Sequence, residues 1–218
     1  GKNRPAGVEI NPLEEGVQVV RVVPGSPADR NSSRLYENDV ILAVNSQPVS
    51  ADQNFYQPLV NKANEEVYLT VRGDNQQQRE VIIRPASRLG DELYDEWVKD
   101  RQRLTEQYSG GKLGYLHIKG MNWTSFERFE RELTASGLGK DGIVIDVRFN
   151  GGGWTTDYLM AVLNVDQHAY TIPRGAAESL EKEHKQFKEY YPFGERLPLA
   201  SWTRPSIALC NQNSYSNA

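Results

Sequence analysis

The stretch Gly142–Gly153, GIVIDVRFNGGG, constrains the fold of this chain more than any other. Ile143, Val144, Ile145 and Val147 are β-branched and apolar with only Asp146 interrupting them, the pattern of a strand covered on both faces and therefore central in its sheet. Three glycines follow Asn150. From Trp154 to Leu163 an apolar pattern at helical spacing begins, with Thr155 or Thr156 placed to cap it. The glycines thus join a buried strand to a helix. A run of this kind makes sense where the backbone must take positive φ or let something approach it closely, and free amides at such a turn favour developing negative charge. Taken alone, the run reads as a plain strand-to-helix turn before it reads as a functional one. It lacks the spaced GxGxxG of a dinucleotide site, and no GK[ST] follows to form a phosphate loop.

Length and charge narrow the remaining classes. A chain of 218 residues holds one large domain or two small ones, and two are expected. A formal charge of −4, without a basic stripe interleaved with aromatics, argues against nucleic acid as a partner. No apolar run approaches the length of a membrane span. The start, GKNRPAG, does not read as a signal peptide, although a leader could precede it. The single cysteine, Cys210, excludes an internal disulfide and a cysteine-rich zinc site, and its apolar neighbours predict a buried thiol. No histidine and carboxylate cluster has metal-ligand spacing, so neither a metal nor a cofactor is expected.

Residues 1–88 have the texture of a small β-rich domain. Val8–Ile10, Val17–Val23, Val40–Val44, Val67–Val71 and Val81–Ile83 are short apolar or alternating runs, separated by turn chemistry at Pro24-Gly25, Asn45-Ser46 and Gly73-Asp74-Asn75. Between Ala51 and Ala63 the spacing of Phe55, Leu59 and Val60 predicts a helix. The runs VVPGSPADR (Val22–Arg30) and LYENDVILAVNSQPV (Leu35–Val49) resemble the core of a PDZ domain of the kind found in bacterial and archaeal proteases. Such domains add an extended peptide to an open sheet edge and hold its carboxylate with backbone amides. The resemblance implies a receiving strand at Gly7, Val8, Glu9 and Ile10, a carboxylate loop at Ala6-Gly7, and a facing helix carrying Phe55 to Leu59. Pro5-Ala6-Gly7 stands where a GLGF-like loop would be. The alternative is a spacer that positions the second half and binds nothing.

Residues 89–218 change period. Leu93, Trp97, Leu104 and Tyr108 recur at helical spacing and predict an amphipathic connector ended by Ser109-Gly110-Gly111. Leu113–Ile118 alternates like a strand. Thr124 with Glu127 forms a capping box for a helix carrying Phe126, Phe129 and Leu133. The central strand, the glycine turn and its helix follow, and Ser206–Cys210 reads as another buried strand. Strand, helix, strand, helix, strand indicates a parallel or mixed sheet with right-handed crossovers. The polar insertion between about Asp166 and Trp202, including AESLEKEHKQFKEY, predicts a solvated helix. Taken alone, the polar end NQNSYSNA reads as a frayed, solvated tail; following directly on a buried strand, it can instead present a serine at the carboxyl edge of the sheet, where sites in open α/β sheets tend to be.

GKLGYLHIKGM (Gly111–Met121), DGIVIDVRFNGGGW (Asp141–Trp154) and RPSIALCNQNSYSNA (Arg204–Ala218) resemble the catalytic core of the tricorn protease and, more distantly, the carboxyl-terminal processing serine proteases. The resemblance implies an α+β chain: a PDZ-like domain followed by a ClpP/crotonase-like α/β core, incomplete at its C-terminus. It implies a serine peptidase acting on peptides or unfolded protein, with Ser216 as nucleophile and Ser214 as the competing candidate. The oxyanion donors it implies are the amides of Asn217 and Gly152. A homo-oligomer is compatible with it, and a cytoplasmic or a periplasmic location equally so. The general base of these families falls outside the chain. His117 lies inside a strand, and His168 and His184 fall in the insertion, so none is a convincing substitute. A serine without a base is a weak nucleophile, and this piece is expected to be inactive alone. Two other readings stay open: a peptide-binding adaptor with a degenerate protease-like domain, and a crotonase-type acyl-transfer enzyme, against which the PDZ-like half argues.

Overall fold

The computed structural model describes residues 5–164, 175, 178–179 and 202–218. The chain divides into two compact units, 1–97 and 98–218. In the first, β1 (Val8–Pro12), β2 (Val17–Val22), β3 (Val40–Val44), β4 (Gln47–Pro48), β5 (Val67–Arg72) and β6 (Gln78–Ile83) build one sheet. Its order is β1-β2-β3-β5-β6, with β4 paired beside β3 and every pairing antiparallel. Period-two alternation is plain in β5, where Val67, Leu69 and Val71 point inward to join Val8, Ile41, Phe55 and Ile83 in the core. The β3–β4 hairpin turns on Asn45 and Ser46, with φ of 48° and 64°, as a two-residue type I′ turn requires. Asp39 is 3% exposed. Its charge is tolerated there because Arg79 pairs with it at 2.7 Å and the Tyr36 amide donates to it at 2.8 Å.

The helix expected over Ala51–Ala63 is not formed. A single 3₁₀ turn, Gln57–Leu59, stands in its place. Of the three apolar residues whose spacing predicted it, Phe55 and Leu59 are buried but Val60 is exposed; Asn61 and Asn64 take φ of 62° and 64°, and left-handed residues end a right-handed turn.

The helix α1 (Gly90–Tyr108) contains the division between the units. The second unit continues with β7 (Leu113–His117), α2 (Trp123–Gly137), β8 (Gly142–Asp146), α3 (Thr156–Leu163) and β9 (Ser206–Leu209). β8 is the middle strand of a parallel sheet, β7-β8-β9. α2 turns Phe126, Phe129 and Leu133 into the same core as Leu116, Ile143 and Ile145. Trp202 is 1% exposed and closes this core. A Cβ on Gly137 would lie 2.6 Å from its ring, so the end of α2 admits only glycine there. Among the described residues no helix is long and apolar enough to cross a membrane.

Two local expectations are corrected in this unit. The cap of α2 is Asn122, whose side chain accepts from the Ser125 amide at 3.0 Å, not Thr124 with Glu127; the helix begins one residue before Thr124, so that threonine lies inside it. The strand at Ser206–Leu209 forms but is exposed throughout, and Cys210 is exposed as well. Apolar composition revealed the strand; its place at the end of the sheet order leaves it uncovered among the described residues. The helix expected in AESLEKEHKQFKEY, with His168 and His184, lies outside the described residues.

Phe129 is 1% exposed and packs against Phe126 with ring centroids 6.0 Å apart. Phe129→Ala is expected to cost about 3–5 kcal/mol by loss of transfer energy plus a cavity. An unfolding midpoint lowered at unchanged denaturant slope checks it.

Candidate active site

The end of β8 is locked before the glycine turn begins. Asp146 has no accessible surface. Its carboxylate accepts from the Tyr115 hydroxyl at 2.7 Å and from the Arg148 backbone amide and Nε at 2.9 Å each, and Arg148 also pairs with it through the guanidinium. Burial pushes this carboxyl up, but the bonds from Arg148 and Tyr115 outweigh it and hold the group below the usual range. Burial and the bond to Asp146 together push the Tyr115 phenol up. These charges and donors satisfy one another. They serve to turn the chain, which passes through Phe149 at φ 64°.

His117 pairs in register with Asp146 across β7 and β8. It is 5% exposed, and its Nε2 lies 2.8 Å from the Arg148 carbonyl. A carbonyl only accepts, so Nε2 carries a proton and donates. Burial lowers its pKa. His117 is therefore a neutral, engaged core histidine.

The glycine turn and the serine segment meet directly. The Gly152 backbone, at φ 77°, faces Ser216 so closely that a Cβ at 152 would fall 2.6 Å from the Ser216 Cβ. The Gly152 carbonyl accepts from the Met121 amide at 3.0 Å, and the Gly152 amide donates to Asn150 Oδ1 at 2.8 Å. Asn217 is pinned on the other side: its Nδ2 donates to the Gly153 carbonyl, and its own carbonyl accepts from the Thr156 hydroxyl, both at 2.8 Å. Ser216 is exposed and sits at φ 59°, a left-handed conformation that costs a non-glycine residue about 1–3 kcal/mol. Its hydroxyl has no hydrogen-bond partner among the described residues. The Ser214 hydroxyl, by contrast, donates to the Val147 carbonyl at 2.8 Å and accepts from the Asn211 amide at 3.0 Å.

Ser216, Gly152 and Asn217 are thus brought together, with the Gly152 amide already engaged. The Gly153 amide has no partner among the described residues. Asn150, which holds this arrangement, was not singled out from sequence; an amide side chain between a buried strand and three glycines was the available signal. Thr156 was expected only as a candidate helix cap, and its hydroxyl goes to Asn217 instead. Among the described residues no group of three or more histidine, cysteine and carboxylate side chains is placed to hold a metal.

In the first unit β1 lies at the edge of its sheet. Val8 is opposite Val22, and the Val23 amide donates to the Gly7 carbonyl at 2.8 Å, so the amide and carbonyl of Val8 face away from β2. The Tyr56 hydroxyl donates to that Val8 carbonyl at 3.0 Å. Gly7 has φ 82° and a Cβ there would meet Ser26 at 2.1 Å, which makes glycine obligatory beside the open edge. Glu9 is turned to Arg21, which pairs with it at 2.7 Å, and Ile10 packs on the domain core.

Residues 112–218 match the model of peptidase family S41, and residues 6–87 match the model of the tricorn protease PDZ domain. The chain joins a tricorn-type PDZ domain to a peptidase family S41 domain. It is 30% identical to a tricorn protease homolog of Saccharolobus solfataricus over 88% of its own length and 16% of that relative. It is 25% identical to the tricorn protease of Thermoplasma volcanium over 82% of its length and 16% of the relative. The crystal structure of the tricorn protease has the same fold, with a TM-score of 0.75 at 22% identity, over 99% of this chain and 20% of that one. The chain therefore spans less than a quarter of the length of these proteins.

The His117 site gives a pH signature to the S41 domain. Its folded pKa lies below the ordinary 6.5, so on acidification the unfolded chain takes up the proton first and stability falls as pH drops through that value. The contribution of Asp146, lowered from 3.8, is present above that value and is lost only as pH falls through its depressed folded pKa. The unfolding temperature is expected to decline between about pH 7 and about pH 5, and His117→Gln, which keeps a donor for the Arg148 carbonyl, is expected to flatten that decline. A scan of unfolding temperature against pH checks it.

Proposed function

We propose that the full-length parent of this chain is a serine peptidase in which Ser216 attacks the carbonyl of an extended peptide. The contrast between the two serines carries this reading. Ser214 is tied to the backbone through both its donor and an acceptor position, whereas Ser216 is exposed, left-handed and without a partner, with its Cβ against the glycine turn. Left-handed non-glycine residues persist where surrounding structure holds them, and they cluster at functional sites.

Amides supply the charge stabilisation in this reading. The Asn217 amide follows the nucleophile. A glycine of the turn provides the second donor: the Gly152 amide stays bonded to Asn150, which leaves Gly153, whose carbonyl is already held by Asn217. Two such donors about a hydrogen-bond length from the developing oxyanion are worth several kcal/mol. The base that takes the serine proton comes from outside residues 1–218: His117 is buried in β7, with its Nε2 committed to the Arg148 carbonyl. The isolated chain is accordingly inactive. The open β1 edge, with its obligatory Gly7, receives peptide as an added strand through Val8 to Ile10, and substrate is peptide or unfolded protein.

A fluorophosphonate is expected to label the full-length parent at Ser216, and to label neither its Ser216→Ala variant nor the 218-residue chain. Labelling at Ser214, or cleavage by the isolated chain that Ser216→Ala abolishes, would overturn the assignment of roles. An intact parent that neither labels nor cleaves peptide is an adaptor instead.

A further inference from the structure

We infer that Asn150 is a positioning residue that clamps the glycine turn, the end of β7 and the serine segment into one unit, and so sets the spacing between Ser216 and the amides that face it. The inference deepens the peptidase reading and rests on it. Asn150 has no accessible surface, although it is polar and lies in a turn. Every hydrogen-bonding group it uses is directed at a different piece of the site. Its Nδ2 donates to the Ile118 carbonyl at 2.9 Å, just past β7. Its Oδ1 accepts from the Gly152 amide at 2.8 Å. Its own carbonyl accepts from the Tyr215 amide at 2.9 Å, and its amide donates to Val147 at 3.2 Å.

The consequence follows from connectivity. Tyr215 precedes Ser216, and Gly152 is the residue against which the Ser216 Cβ rests. One side chain and one peptide unit therefore hold both partners of the reactive contact. No other polar side chain among the described residues bonds to the Gly152 amide. Alanine keeps the bond to Tyr215, which is made by backbone, but removes both side-chain bonds and leaves the Gly152 amide and the Ile118 carbonyl without their partner. Aspartate keeps an oxygen for Gly152 and loses the donor to Ile118 while ionised. Once protonated, it regains that donor. Burial raises the pKa of such a carboxyl, so the change occurs at accessible pH.

The test has two arms. In the 218-residue chain, amide hydrogen exchange reads the clamp without any activity: Asn150→Ala is expected to speed exchange at Gly152, and unchanged exchange there overturns the clamp. In the full-length parent, Asn150→Ala is expected to lower kcat by about 100-fold, the cost of a small misplacement of reacting groups, with KM within about threefold because the group contacts no substrate. Asn150→Asp is expected to label with fluorophosphonate at a rate that rises, relative to the parent at each pH, as pH falls. A kcat within about threefold of the parent for Asn150→Ala, or an Asn150→Asp to parent ratio flat with pH, overturns the positioning role. A parent that fails to label with Asn150 intact overturns the peptidase reading, and with it this role, while the exchange arm still reports on the clamp.

Discussion

A side chain at residue 152 has nowhere to go. Its Cβ would stand 2.6 Å from the Ser216 Cβ and 2.6 Å from the Tyr215 carbonyl oxygen, distances that packed atoms do not reach. This exclusion lets the turn after the central strand and the turn after β9 lie against each other at one edge of the sheet. The rest of the second unit serves to keep them there. β8 delivers the glycine turn, β9 delivers the serine segment, and the parallel pairing of the two strands fixes their relative register. The Asp146, Tyr115 and Arg148 lock ends β8 at a defined residue, and Met121, Asn150 and Thr156 fasten the turns by hydrogen bonds rather than by apolar packing. Backbone groups that bind developing charge must be held without being covered, and polar clamps accomplish that.

The central strand was legible in the sequence because burial on both faces leaves a β-branched run with no polar alternation, and the glycines were legible because three together serve no helix or strand. The antiparallel first unit was legible for a related reason: short alternating runs between turn residues leave few other architectures. What composition could not convey was local competition between neighbouring residues. Phe55 and Leu59 were correctly expected inside, yet left-handed Asn61 and Asn64 limit their helix to one turn. Asn122 outcompetes Thr124 for the cap because a cap depends on where the chain leaves the extended region, which single-residue preference does not specify. Cys210 lies in an apolar run but directly follows the last strand of the sheet order, and apolar composition does not report which strand lies at an end.

The candidate site was legible only in outline. Family resemblance pointed to Ser216, Gly152 and Asn217, and the structure brings these three residues together. It adds that the Gly152 amide is already bonded and that Ser214 is fully engaged, facts that depend on side-chain geometry and leave no periodicity behind. Asn150 is the clearest case: an asparagine beside glycine is ordinary turn composition, and only its complete burial separates it from a solvated one. In the first unit, the Tyr56 hydroxyl occupies the Val8 carbonyl at the edge where an added strand would pair. An added strand there would replace that one hydrogen bond.

The measurement that tests the central claim most directly is a crystal structure of the full-length parent carrying a fluorophosphonate adduct, which mimics the tetrahedral intermediate. The account predicts phosphorus bonded to Ser216 Oγ, with its oxygen about 2.7–3.1 Å from the Asn217 amide and from one glycine amide of the turn. An adduct on Ser214, or a phosphoryl oxygen directed into solvent away from both amides, would contradict it.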